Sequence, residues 1–156
     1  MNCKLPLVSV VVITYNSSKY VIETLDSIYN QTYEQLELII SDDCSKDDTI
    51  PKCEEWLAKN QERFYNAQII TTSINTGIPA NCNRGFEKAQ GEWIKYIAGD
   101  DCLYPYAIEK YIKYAQREIE YSLFHSLVIH SFLFFHTRSP FQRHIKFRGF
   151  KIWFIK

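Results

Sequence analysis

Leu7–Thr14 reads LVSVVVIT. The run is dominated by β-branched residues and lacks the apolar–polar alternation of a strand with one wet face. Such a run suits a strand covered on both sides, and strands of that kind belong mostly to parallel sheets. Parallel neighbours need long crossovers, usually helices. The sequence around this strand should therefore alternate helix with strand.

Downstream it does. Asn16-Ser17-Ser18 supply helix N-cap chemistry, and Val21, Leu25 and Ile28 recur at helical spacing, predicting a helix to about Asn30. Leu36–Ser41 is a second strand, followed by the polar loop DDCSKDDT. Ile50, Cys53, Trp56 and Leu57 mark the next helix, with Pro51 in its first turn. Ala67–Thr71 is a third strand. Ile78, Cys82, Phe86 and Ala89 form another helical stripe, which Gly91 is expected to close. Trp93–Ile97 is a fourth strand, and Pro105 is expected to open a helix that buries Ile108, Ile112 and Ala115. This alternation predicts an α/β domain of layered type with a mostly parallel sheet.

Composition agrees with a soluble globular chain. Of 156 residues, 46% are apolar and 23% charged, and the formal net charge is zero. The charge is unevenly spread. Residues 1–120 hold all 18 acids and 12 of the 18 Lys/Arg, whereas 121–156 hold the other six and all four histidines. The chain thus divides into a domain over 1–120 and a basic, aromatic tail over 121–156. Tyr121–His130 could add one strand. The five cysteines are odd in number and no two stand in C-x-x-C spacing, which argues against a disulfide framework or a zinc site and for a reducing, cytoplasmic setting. No stretch reaches the ~18 apolar residues of a membrane span.

In open α/β sheets, ligands bind beyond the carboxyl ends of the strands. Three polar clusters fall there: Thr14-Tyr15-Asn16, Asp42-Asp43 and Asp100-Asp101. The last follows Gly99 in YIAGDDCLYP (96–105). Adjacent carboxylates suit a hard divalent cation such as Mg²⁺ or Mn²⁺; the bland alternative is a solvated turn. Asp42 and Asp43 could accept hydrogen bonds from a base or ribose, or simply shape a turn. Tyr15 could stack on a base or fill the core. Arg84 could meet phosphate or lie solvated on the surface. Neither a P-loop nor a Gly-x-Gly-x-x-Gly fingerprint is present. An aspartyl phosphotransfer domain fits poorly, because Thr14-Tyr15-Asn16 stands where its nucleophile is expected after the first strand.

VSVVVITYN, SIYNQTYEQLELIISDDCSKDDT, NTGIPANCNRGFEKAQGEWIKYIAGDD and the following LYP closely resemble family-2 glycosyltransferases, over roughly Pro6 to Arg117. The resemblance implies a GT-A fold, a Rossmann-like nucleotide-binding sheet, here incomplete at its C-terminus. It also implies metal-assisted transfer of a sugar from a nucleotide-diphosphate donor, by resemblance a UDP-sugar, to an acceptor hydroxyl with inversion. By resemblance Thr14, Tyr15, Asn16, Asp42, Asp43, Asn83 and Asp100 would hold the donor, with Asp100 and Asp101 at the Mn²⁺ or Mg²⁺. The implied acceptor is a glycan or a lipid-linked molecule of polysaccharide biosynthesis; no nucleic-acid partner is expected.

Three departures stand out. Ala98 replaces the first aspartate of the Asp-x-Asp motif, and Cys82 replaces the arginine of an Ala-Arg-Asn motif. The family's general base is an acid well downstream, yet no Asp follows Asp101 and no Glu follows Glu120. The catalytic base is therefore unassigned, and His125, His130, His136 and His144 are the tail's neutral-pH bases. The abrupt change after 120 reads as a truncated or frame-shifted product. The alternative is an interfacial segment touching the inner face of a membrane. A sheet lacking later strands would leave edges open to dimerisation or aggregation. The alternative to an active transferase is thus a fragment that binds nucleotide-sugar without transferring it.

Overall fold

The computed structural model describes residues 5–124 and 151–153. Five parallel strands lie in the order β3-β2-β1-β4-β5: β1 Val8–Thr14, β2 Leu36–Asp42, β3 Asn66–Ile70, β4 Trp93–Ala98 and β5 Lys151–Trp153. The helices are α1 Val21–Tyr29, α2 Thr49–Asn60, α3 Ile78–Lys88 and α4 Ala107–Phe124, with a 3₁₀ turn over Gln61–Arg63.

β1 lies inside the sheet, paired along its length with β2 on one side and with β4 on the other. That is why its sequence shows no alternation: both faces meet a core. Val8, Val10 and Val12 pack toward α1, α2 and α4, with Leu25, Ile28, Trp56, Ile108 and Ile112. Val11 faces α3, joining Ile39, Ile94, Cys82 and Phe86. Two buried cysteines fall on opposite sides of the sheet, Cys53 in the first cluster and Cys82 in the second. Burial is the main cause that pushes the Cys53 thiol up to about 12 and the Cys82 thiol up to about 11.

Glycine permits two close approaches. A methyl group at Gly85 would stand 2.4 Å from Val11 Cγ1, so α3 lies directly on β1 there. A methyl at Gly91 would stand 2.6 Å from the Ser9 backbone nitrogen. Gly91 therefore serves contact with β1; α3 already ends at Lys88, before it. The Gly91 N–H donates to Ser9 Oγ, which donates in turn to the buried Glu37. Gln90 N–H and Asn66 Nδ2 also donate to Glu37, so one carboxylate ties β1, β2, β3 and the α3–β4 connection together.

Several local expectations are corrected. Asn16–Ser18 do not cap α1, which begins at Val21 after Tyr20 with no side-chain cap. Those residues bond instead to the loop before α2 and to its first residue: Asn16 N–H to Ser45 Oγ, Ser17 N–H to Thr49 Oγ1 and Ser18 N–H to Asp47 Oδ2. Pro105 stands two residues ahead of α4 rather than in its first turn. Ile78, expected in the buried stripe of α3, is 54% exposed. Tyr121–Phe124 continue α4 instead of starting a strand, so the helix runs past residue 120. Lys151–Trp153, within the expected tail, add the strand β5 beside β4; the other expectations for the tail, including those for His125, His130, His136 and His144, lie outside the described residues.

Candidate functional site

The sheet changes direction at β1. β2 and β3 extend to one side of it, while β4 crosses to the other. This is the switch point where ligands enter open α/β sheets. A cavity of about 440 Å³ opens there, lined at the end of β1 by Ile13–Ser17, just after β2 by Asp43, before and at the start of α3 by Asn75, Gly77 and Ile78, and at the end of β4 by Ala98–Asp100. Tyr20 and Asn81 complete the lining.

Thr14, Tyr15, Asn16, Asp43 and Asp100 thus meet at one cavity. Tyr15 is 48% exposed, so it is not a core aromatic. Asn16 holds the left-handed conformation, φ 52°, which short polar side chains tolerate. Gly99 brings the acid turn close to β1: a methyl there would stand 2.8 Å from Thr14 Cγ2 and 3.0 Å from Ser17 Oγ.

Asp42 and Asp43 are neighbours with different work. Asp42 is buried and does not line the cavity, accepting from Thr14 Oγ1 at 2.8 Å, Ser45 Oγ at 2.5 Å and Ser45 N–H at 2.8 Å. It fixes the ends of β1 and β2. Asp43 lines the cavity with both oxygens engaged. Oδ2 accepts the N–H groups of Thr76 and Gly77, at 2.9 and 2.7 Å, while Oδ1 accepts Thr76 Oγ1 and Arg84 Nη2, at 2.6 and 2.8 Å. Burial works against its charge, but these bonds outweigh it and hold the carboxyl below its ordinary value. Arg84 is therefore an ion-pair partner of Asp43, not a solvated surface cation.

Asn83 does not line the cavity; Asn81 does. Asn81 is buried, donating from Nδ2 to the Thr14 carbonyl at 3.2 Å and accepting from Ser41 Oγ at 2.6 Å. Cys82 between them points into the core.

Asp100 and Asp101 are both exposed, on a tight turn closed by the Asp101 N–H donating to the Ala98 carbonyl at 3.2 Å. Asp100 lines the cavity and Asp101 lies just outside it. No three His, Cys, Asp or Glu side chains cluster as a metal cage among the described residues. A pair of exposed carboxylates fits Mg²⁺ or Mn²⁺, which take one or two carboxylates and complete their shell with water and phosphate.

The sequence model described as glycosyl transferase family 2 matches residues 9–155. An uncharacterized glycosyltransferase of Haemophilus influenzae is 38% identical over 116 residues, covering 74% of this chain and 34% of that protein. Among solved structures, S. aureus TarS 1–349 in complex with UDP superposes with a TM-score of 0.63 at 27% identity, over 71% of this chain and 32% of the other. The mannosyltransferase PcManGT from Pyrobaculum calidifontis, in complex with GDP-Man and Mn²⁺, gives 0.59 at 27% identity, over 64% and 29%. The chain spans between 32% and 41% of the length of the first three curated relatives.

Proposed function

The chain belongs to glycosyltransferase family 2, and from that membership we propose that its described residues form the donor-binding part of a transferase. The reaction is metal-assisted movement of a sugar from a nucleoside diphosphate to an acceptor hydroxyl, with inversion. The observation that carries this reading is the meeting of three strand ends at one cavity on the switch point of the sheet. The complexes of TarS with UDP and of PcManGT with GDP-Man and Mn²⁺ support it.

In this reading the exposed face of Tyr15 stacks on the base. Thr14, Asn16 and Asp43 form the polar edge for base and ribose, and Asp42 holds that edge from behind. The contact expected of Asn83 passes to Asn81. Asp100 and Asp101 would hold Mn²⁺ or Mg²⁺. That ion, when bound, neutralises charge developing on the departing diphosphate. The acceptor is a glycan or lipid-linked molecule, and the unpaired cysteines favour a cytoplasmic setting. Among the described residues no helix is long and apolar enough to cross a membrane.

One observation favours binding without efficient transfer as a second reading. The cavity's only carboxylates among the described residues are Asp43 and Asp100. Asp43 has both oxygens engaged, and Asp100 faces the expected cation. Neither is placed to take the acceptor's proton.

Calorimetric titration with UDP, with and without Mn²⁺, tests the site beside Asp100→Ala. Binding should require Mn²⁺ and weaken at least about tenfold in the variant, a loss of about 1.4 kcal/mol. A folded chain that ignores UDP would sink the donor-site reading. Glycosylation of an acceptor at ordinary enzyme rates would sink the second reading instead.

A further inference from the structure

Three of the four donors to Asp43 belong to one short loop: the N–H groups of Thr76 and Gly77 and the Thr76 hydroxyl. The fourth is the Arg84 guanidinium, from α3. A carboxylate has about four acceptor directions, so this set fills it. The Asn75–Gly77 wall of the cavity therefore hangs on Asp43. Gly77, at φ 83°, has a backbone few other residues could adopt there.

Arg84 in turn braces Asp43 from behind. Its Nη1 donates to Thr76 Oγ1 at 3.3 Å and its Nη2 to Asn81 Oδ1 at 3.2 Å. Since Asn81 also holds the Thr14 carbonyl and Ser41 Oγ, the guanidinium links the loop, α3 and the tips of β1 and β2. The Arg84 side chain is 23% exposed and that of Asp43 only 3%. Removing one partner from so enclosed a pair leaves the other charge uncompensated.

We propose that Arg84 is a positioning residue of the nucleotide pocket, fixing the Asp43 carboxylate and, through it, the Asn75–Gly77 wall before any nucleotide arrives. The proposal rests on the donor-site reading above. Asp43 lines the cavity; Arg84 acts through it.

Two measurements on the full chain test this with Arg84→Met and Arg84→Lys. The first is amide hydrogen exchange without ligand. In the wild type the Thr76 and Gly77 amides should be protected. In Arg84→Met they should exchange at least about tenfold faster, while the β1 and β2 amides keep their rates and show the fold intact. The second is UDP titration with Mn²⁺ at pH 8.0 and pH 5.5. Arg84→Met should bind about tenfold more weakly at pH 8.0, and its deficit should widen at pH 5.5. The sign follows from burial: losing the guanidinium raises the enclosed Asp43 carboxyl, so falling pH favours its protonated form more in the variant than in the wild type. Arg84→Lys should recover part of the loss, and it carries the test if Arg84→Met does not fold. Unchanged protection of Thr76 and Gly77, or wild-type affinity in a folded Arg84→Met, overturns the proposal alone. A wild-type chain that binds no UDP overturns the donor-site reading, and the proposal with it.

Discussion

Asp47 sits between two chain segments and bonds to both. It accepts from the Ser18 N–H at 3.0 Å and from the N–H and hydroxyl of Thr49, at 3.0 and 2.5 Å. Burial raises its pKa, but the bonds prevail and lower it to about 2 from an ordinary 3.8. A lowered carboxyl contributes stability above its unfolded value and loses it as pH falls toward the folded value. Asp47 should therefore contribute about 1–2 kcal/mol at pH 7, allowing for partial solvent access, and progressively less as pH falls from its ordinary 3.8 through about 2. Comparing urea midpoints of the wild type and Asp47→Asn at pH 7 and pH 2.5 checks this: a gap as large at pH 2.5 as at pH 7 would contradict the assignment. At this scale the sequence was only partly legible. The acid pairs, Tyr15 and Asn16 stood out because their types and strand-end positions point to ligand chemistry. Asn81 did not, because Asn81 and Asn83 lie about 100° to either side of Cys82 on a helix, and only the rotation of α3 against the sheet selects one.

Elements are held at their ends by groups from elsewhere. α1 has no basic residue in its last turn, yet its C-terminal region is served by a guanidinium. Arg63, in the 3₁₀ turn, donates to the carbonyls of Tyr29, Gln31, Tyr33 and Glu34 at 2.7–3.2 Å. This bridge joins α1 to the start of β2 and complements the negative end of the helix. Arg63→Met should destabilise the chain by about 1–3 kcal/mol, since solvent can reach some of the freed carbonyls. Urea unfolding should show a lower midpoint with an unchanged slope; an unchanged midpoint would mean the bridge adds nothing net. The strands and helices themselves were legible from β-branched runs and 3.6-residue stripes. The start of α1 was not, because the Asn16–Ser18 backbone that reads locally as a cap is taken up by Ser45, Asp47 and Thr49, about thirty residues away. Long-range partners outcompeted a local motif.

For the whole molecule, the parallel sheet followed from helix–strand alternation, whereas the crossing of β4 to the far side of β1, which creates the switch point, left no local trace in the sequence. The two faces of the sheet are unequally clothed. Among the described residues α1, α2 and α4 cover one and α3 alone covers the other. Each face contains one inaccessible thiol, Cys53 under the three helices and Cys82 under the single one, while Cys102 is exposed and Cys44 partly so. Only thiolate reacts quickly with an alkylating reagent, so burial silences the first two in the folded state. They are a pair of internal clocks. Mass-resolved alkylation should modify Cys102 promptly and Cys53 and Cys82 only as the protein opens. If Cys82 is marked before Cys53, the thinly covered face breathes by itself; if both advance together, the sheet and its helices open as one cooperative unit.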